Sequence, residues 1–154
     1  MESVRPREIP ATFVHRRETV LIAEDEDEVR ELASEFAKSA GYTVLTAKDG
    51  AEALGIVERS GQPIHLLLTD VVMPRMRGPE LAKRLKFLRS DMKTVYMSGY
   101  LEYNKSNGQY LEEGFFLQKP FSRDTLVRKV DEALGHELSG TVDHLSRSSR
   151  DRGE

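Results

Sequence analysis

The sequence predicts an α/β fold in which five parallel strands form a doubly wound sheet with helices on both faces. Between residues 18 and 135, short apolar runs alternate with segments whose apolar residues recur every three or four positions. Gly41 follows the first of these helical segments, and Pro79 falls in the first turn of a later one. Strict alternation of strands and helices is typical of a parallel sheet with right-handed crossovers.

The elements follow in order along this segment. We predict strands over residues 20–23, 42–46, 64–69, 95–98 and 115–117, because each is a short run of strand-forming residues. We predict helices over residues 25–40, 51–59, 79–88 and 125–134, where apolar residues have helical spacing; Leu81, Leu85 and Leu88 form one such stripe. The fourth helix in chain order falls between residues 101 and 114. Asn107 and Gly108 belong to a cluster of poor helix formers there, so we expect this helix to be short or irregular.

The two ends of the chain differ in composition from this central segment. Residues 1–17 contain two prolines and four arginines without apolar periodicity, and we expect a flexible leader. Residues 136–154 have no large apolar side chain after Leu145, so they cannot bury enough surface to offset the entropy of ordering. We therefore predict one domain over residues 18–135, followed by a largely disordered tail over residues 136–154.

Bulk composition excludes several classes of function. The net charge of −3 provides no basic field for direct nucleic-acid binding. The chain has no cysteine, which excludes disulfide frameworks and thiolate metal sites and suits the cytoplasm. No apolar stretch approaches the roughly 20 residues of a membrane helix, so we expect no membrane contact by this segment.

Polar groups suited to binding a metal ion and a phosphoryl group follow four of the predicted strands. Glu24 and Asp25 follow the first strand, Asp70 follows the third, Ser98 ends the fourth and Lys119 follows the last. Taken singly, each has an ordinary explanation, such as a helix cap or an acidic first turn. Because ligands of such sheets bind beyond the carboxyl ends of the strands, the four together predict a functional site.

This set of residues suits phosphoryl transfer to a carboxylate. Asp70 can attack phosphorus without a general base, because an aspartate is already ionised near neutral pH. Both reactants are anionic, so positive charge must be positioned beforehand. Mg²⁺ could be bound by Asp25 and Asp70, with Glu24 reaching it directly or through water. Lys119 and Ser98 could contact the phosphoryl oxygens.

Four segments resemble the motifs of the response-regulator receiver domain of two-component signalling. They are Val-Leu-Ile-Ala-Glu-Asp-Glu (20–26), Leu-Thr-Asp-Val-Val-Met-Pro (68–74, followed by Gly78), Met-Ser-Gly-Tyr (97–100) and Phe-Leu-Gln-Lys-Pro-Phe (116–121). The resemblance covers residues 18–135 and implies a flavodoxin-like sheet of order 2-1-3-4-5. It also implies phosphorylation of Asp70 by the phosphohistidine of a sensor histidine kinase or of a histidine phosphotransfer protein.

The resemblance assigns further roles at the metal site. Asp25, Asp70 and the main-chain carbonyl of Val72 would bind Mg²⁺, with Mn²⁺ as a substitute, and Glu24 would act mainly through a metal-bound water. Glu24 stands where an aspartate is more usual in the family, so its longer side chain is expected to shift the metal shell.

The resemblance also predicts a switch. Ser98 would move toward the phosphoryl group, and Phe116 would fill the space it leaves, which changes the surface near the fourth and fifth strands and could drive dimerisation. Phe116 replaces the tyrosine frequent at this position. Val72 and Tyr100 border the path of an attacking water in the family, so we expect slow-to-moderate hydrolysis of the acyl phosphate.

Alternatives remain open from the sequence. The chain could be a stand-alone receiver or a portion of a hybrid sensor kinase, whose C-terminal receivers the segments around Ser98 and Lys119 resemble. The downstream partner is unknown, and the expected chemistry is self-phosphorylation and slow self-dephosphorylation rather than ordinary enzyme turnover. A Mg²⁺-dependent aspartyl-phosphate phosphatase or phosphotransferase acting on small molecules is the rival function. It would need a second acid two residues after Asp70, where Val72 stands.

Overall fold

The computed structural model describes residues 16–99 and 115–136. Five parallel strands form one sheet in the order β2-β1-β3-β4-β5, which confirms the predicted fold class and strand order. The strands are β1 (Thr19–Ala23), β2 (Thr43–Ala47), β3 (Leu66–Asp70), β4 (Lys93–Ser98) and β5 (Phe115–Gln118). The described helices are α1 (Asp27–Ser39), α2 (Gly50–Arg59), α3 (Gly78–Leu88) and α4 (Arg123–Leu134).

The helices cover both faces of the sheet and bury two apolar clusters. Along β1, Val20 and Ile22 face the cluster that contains residues of α1 and α4, whereas Leu21 faces the cluster beneath α2 and α3. This division follows from the strand geometry, in which successive side chains point to opposite faces. Strand β3 is buried along its whole length, as expected of a central strand covered on both sides.

Local side-chain contacts set several helix ends. The Asp49 side chain accepts a hydrogen bond from the Glu52 amide at the start of α2, and Ser122 accepts one from the Thr125 amide at the start of α4. Gly135 ends α4 in the left-handed conformation, with φ of 82°.

Within the residues that the structure describes, no helix is both long and apolar enough to cross a membrane.

Some predicted boundaries and faces were wrong. Strand β3 begins at Leu66 rather than residue 64; just before it, the His65 imidazole accepts a hydrogen bond from the Thr19 amide, and the His65 amide donates to the Thr19 carbonyl. Helix α1 begins at Asp27 rather than residue 25, because Glu26 is extended. Leu88, predicted on the apolar stripe of α3, is 45% exposed in its last turn, although Leu81 and Leu85 are fully buried.

Three predictions lie outside the described residues: the short or irregular fourth helix, the position of Tyr100 and the disorder of the tail beyond residue 136. The predicted leader is described only at Arg16 and Arg17. The Arg16 guanidinium binds the Asp131 carboxylate of α4 through Nε at 2.9 Å and Nη2 at 2.8 Å. Arg16 is therefore attached to the folded domain.

The Arg16–Asp131 contact belongs to a buried polar cluster at the amino end of β1. The Tyr42 hydroxyl donates a hydrogen bond to Asp131, which is only 5% exposed. Burial and then this hydrogen bond raise the pKa of Tyr42 well above its usual value, so the phenol stays protonated as a donor. Beside it, His136 Nε2 lies 3.0 Å from Glu18 Oε2. This cluster joins the residues before β1 to those after α4.

Candidate functional site

The predicted polar residues converge at one edge of the sheet. Glu24 follows β1, Asp70 is the last residue of β3, Ser98 is the last residue of β4, and Lys119 follows β5. These four strands are neighbours and parallel, so their carboxyl ends meet. The Lys119 amide donates to the Ser98 carbonyl at 2.9 Å, which extends the β4–β5 ladder into the site. The Lys119–Pro120 peptide is cis.

Lys119 lies between two carboxylates. Its Nζ atom is 3.0 Å from Glu24 Oε1 and 3.3 Å from Asp70 Oδ2, and its side chain is only 21% exposed. Burial lowers the pKa of Lys119, but the carboxylates of Asp70 and Glu24 raise it by more, and the net shift is upward. The ammonium group is therefore a fixed positive charge directly beside Asp70.

Glu24 is completely buried, and both of its carboxylate oxygens have neighbours. Besides the Lys119 contact at Oε1, Oε2 accepts a hydrogen bond from the Glu26 amide at 3.0 Å, and the Glu24 carbonyl accepts one from Arg30 Nη1 at 2.8 Å. Burial, and then the charge of Asp70, raise the pKa of Glu24 to about 7, although Glu26 and Lys119 act to lower it. The orientation of Glu24 is thus set by the protein.

The site could accommodate a hard divalent cation. One carboxylate oxygen from each of Glu24, Asp25 and Asp70 lies within 4.8 Å of the other two. Burial raises the pKa of Asp70, and Lys119 opposes that shift. Three carboxylates beside one ammonium leave excess negative charge. Asp25 is exposed, so an ion bound there could keep water ligands, as Mg²⁺ usually does. The residues present therefore fit such an ion.

The backbone after Asp70 is held by a glycine that leaves no room for a side chain. A Cβ atom added to Gly78 would lie 2.1 Å from the Asp70 carbonyl oxygen and 3.2 Å from a Thr69 methyl carbon. The Gly78 amide also donates to the Val71 carbonyl at 2.9 Å. The start of α3 is therefore in direct contact with the backbone of Asp70. The sequence indicated Gly78 only as part of a motif.

A second contact, which sequence reasoning missed, fixes the loop between β3 and α3. Arg75 has a left-handed backbone, with φ of 70°, and its Nη2 atom lies 3.1 Å from Asp49 Oδ2. Met76 packs on Gly50, where an added Cβ would lie 2.7 Å from its sulfur. The loop is thus attached to the start of α2. No local signal in the sequence pairs Arg75 with Asp49, because they lie 26 residues apart.

The remaining predicted residues lie at the rim or beside the site. Ser98 is 1% exposed, and its hydroxyl donates to the Gly99 carbonyl at 3.2 Å. Phe116 is half-buried in β5, in register with Tyr96 of β4. The Val72 side chain is 41% exposed in the loop after Asp70.

Comparison with known proteins gives consistent matches. A family model described as the response regulator receiver domain matches residues 20–131. The chain is 41% identical over 125 residues to the sensor kinase CckA of Brucella abortus (strain 2308), covering 80% of this chain but 13% of that protein. It is 32% identical to the response regulator receiver protein CpdR of the same organism, covering 75% of this chain and 95% of CpdR.

A solved structure agrees with these sequence matches. The crystal structure of the receiver domain from the hybrid histidine kinase CckA is 35% identical to this chain and superposes with a TM-score of 0.63. The superposition covers 75% of this chain and 98% of that domain.

Proposed function

This chain belongs to the response regulator receiver domain family, and we propose that within it Asp70 accepts a phosphoryl group from a phosphohistidine. The observation that carries the proposal is the position of Asp70 Oδ2, 3.3 Å from the Lys119 ammonium and beside two further carboxylates. The Lys119 ammonium is already in place beside this carboxylate, so it can offset the negative charge of an incoming phosphoryl group without first recruiting charge from solvent.

In the proposed reaction, a carboxylate oxygen of Asp70 forms a bond to phosphorus. The phosphorus–nitrogen bond breaks, and its electron pair returns to the donor imidazole. The product is an acyl phosphate on Asp70. Lys119 neutralises charge on the phosphoryl oxygens, and its contact with Glu24 Oε1 holds it in place before the donor arrives.

The same proposal includes a metal ion. Asp25, Asp70 and the main-chain carbonyl of Val72 would hold Mg²⁺ or Mn²⁺, and Glu24 would contribute through water. Bound there, the ion would supply the positive charge that lets two anions approach. The excess negative charge of the cluster and the exposure of Asp25 support this assignment.

Phosphorylation is proposed to act on the surface formed near β4 and β5. A phosphoryl group adds nearly two negative charges and strong acceptors. The hydrogen bond from the Ser98 hydroxyl to the Gly99 carbonyl is long, at 3.2 Å, so a nearby phosphoryl oxygen would be a better acceptor. Phe116 would then move inward beside it. Tyr100 and Val72 would limit the access of water to the acyl phosphate.

The proposed phosphoryl donors are a sensor histidine kinase or a histidine phosphotransfer protein in the cytoplasm. Two relatives with different architectures support a role in such a system. One is named a sensor kinase, of which the chain spans 13%, and the other is named a receiver protein, of which it spans 95%. Of the two, the higher identity to the kinase favours a receiver of the hybrid-kinase type. Phosphorylation is also proposed to promote dimerisation, which can be measured directly.

Incubation with acetyl phosphate and Mg²⁺, followed by intact-mass measurement, tests the proposal. We expect one phosphoryl adduct that is lost with Asp70→Asn and with chelation of the metal. Asp91→Asn is the matched control, because Asp91 is an exposed aspartate in the turn before β4. An adduct that persists in Asp70→Asn would contradict the assignment. Multiple turnover of a sugar phosphate without any adduct would contradict it as well.

A further inference from the structure

A groove on the opposite side of the molecule from α1 and α4 is lined by both apolar and charged residues. It runs between α2 and α3 and has a volume of about 400 Å³. Its lining residues, which define the α2–α3 groove, are Leu54, Glu58, Lys83, Arg84, Phe87 and Leu88. Phe87 is 88% exposed and Leu88 is 45% exposed.

Phe87 and Leu88 form part of a larger apolar surface. Single apolar side chains on a surface are ordinary, but here an aromatic ring and a leucine adjoin a concave surface. Contiguous apolar surface next to charged residues is typical of protein interaction sites. Because Leu81 and Leu85 already anchor α3 to the sheet, Phe87 is not needed for the core of the domain.

We propose that a second copy of this chain docks on the α2–α3 groove by two-fold symmetry, with Phe87 of each copy entering the groove of the other. The surface is self-complementary in shape, since the same patch carries both a protruding aromatic side chain and a concavity. Self-complementarity is what a two-fold interface requires. A phenylalanine can bury roughly 150–250 Å² in such a contact.

The charges on the groove are also self-complementary. Glu58 lies on the α2 side, and Lys83 lies on the α3 side. Neither has an ion-pair partner within residues 16–99 and 115–136, whereas Arg84 pairs with Glu80 at 2.8 Å. A two-fold arrangement would bring Glu58 of one copy opposite the partner's Lys83, twice in each dimer. Charge pairs of this kind at an interface rim fix orientation and partner choice.

The expected dimer is weak. Two phenylalanines and the adjoining leucines bury less surface than the roughly 1,200–2,000 Å² of a stable interface. We therefore expect a dissociation constant on the order of 100 µM, which matters most where local concentration is high.

The groove is separate from the phosphoacceptor site. Phe87 lies nine residues after Gly78 on α3, which at 1.5 Å per residue is about 13 Å along the helix axis from the Asp70 backbone. The proposed dimer therefore leaves Asp70 accessible, and it uses a different surface from the one near β4 and β5. Its test does not depend on phosphorylation.

Sedimentation velocity of the unphosphorylated chain, from about 5 to 500 µM, provides the first test. We expect the weight-average mass to rise with concentration for the wild type and to stay monomeric for Phe87→Ser. Leu32→Ser is the matched control, because Leu32 is a 42% exposed leucine on α1, away from the groove. Far-ultraviolet circular dichroism and urea unfolding verify that each variant is folded. A wild type that remains monomeric at the highest concentration would overturn the proposal, even if another protein bound the groove.

Mixing two charge variants provides a sharper test. Glu58→Lys alone and Lys83→Glu alone should each remain monomeric, because like charges would then face each other twice. An equal mixture should recover wild-type dimerisation, because each heterodimer has one native pair and one reversed pair. Failure of the mixture to associate would show that these residues do not face each other across a two-fold axis.

Discussion

Replacing Gly78 by alanine tests how tightly α3 holds the backbone of Asp70. The new Cβ atom would lie 2.1 Å from the Asp70 carbonyl oxygen, and real Cβ atoms essentially never approach closer than 3.0 Å. The two must therefore separate by at least about 0.9 Å. The obstructing atom is backbone, so no side-chain rotation can relieve the overlap. Either the start of α3 or the end of β3 must move.

Both stability and reactivity should respond. Overpacking of this kind costs about 1–3 kcal/mol of unfolding free energy. A displacement of about 1 Å in a reacting group can cost on the order of 100-fold in rate. We therefore expect Gly78→Ala to lower the urea midpoint and to slow formation of the Asp70 phosphoryl adduct by ten- to 100-fold.

Urea unfolding and a time course of adduct formation by intact mass provide the measurements. Gly61→Ala is the control, because a Cβ atom added to Gly61 has no atom of the described chain within 4 Å. That variant should leave both quantities near the wild-type values. If Gly78→Ala is phosphorylated at the wild-type rate, the contact does not position Asp70, and our reasoning about the start of α3 is wrong.

Three further predictions concern charge and capping. Asp131→Asn should lower the unfolding free energy by about 3 kcal/mol, because it leaves the guanidinium beside it without its counter-ion, while Asp124→Asn on the exposed side of α4 should change it little. Asp49→Ala should lower the unfolding free energy by about 1 kcal/mol, because it removes the side-chain cap of α2. Loss of the Arg75 contact, which holds the loop after β3, should contribute less. In chelator, the raised pKa of Glu24 means that the folded state binds an extra proton between pH 4.5 and about 7, so stability should fall as pH rises through that range. Glu24→Gln should flatten this slope and Glu35→Gln should not; equal slopes in all three proteins would contradict the assignment.

Much of the site could be predicted because its residues end strands of one parallel sheet. Alternating strands and helices place Glu24, Asp70 and Lys119 at the same edge of the sheet, and in the structure Lys119 Nζ lies 3.0 Å from Glu24 and 3.3 Å from Asp70. The order and direction of the strands are enough to place these residues at one edge. The roles assigned to these residues stay predictions.

Contacts between distant polar residues could not be predicted in this way. Asp131 lies on the predicted last helix, and nothing in the apolar spacing distinguishes it from the exposed acids nearby. It is buried because Arg16 and Tyr42, 115 and 89 residues away, satisfy its carboxylate. Leu88 shows the opposite error: its spacing suited the core, but α3 has passed the edge of the apolar cluster by its last turn.

The contacts of Arg16 with Asp131 and of Glu18 with His136 bring the entry and the exit of the folded domain together. Because β1 runs from this edge toward Glu24, both junctions lie at the opposite end of the sheet from Asp70. A domain whose ends touch can be spliced into a loop of another protein, or appended to its terminus, without opening its core. The domain can therefore be joined to another protein at either junction while the end of the sheet that carries Asp70 stays exposed.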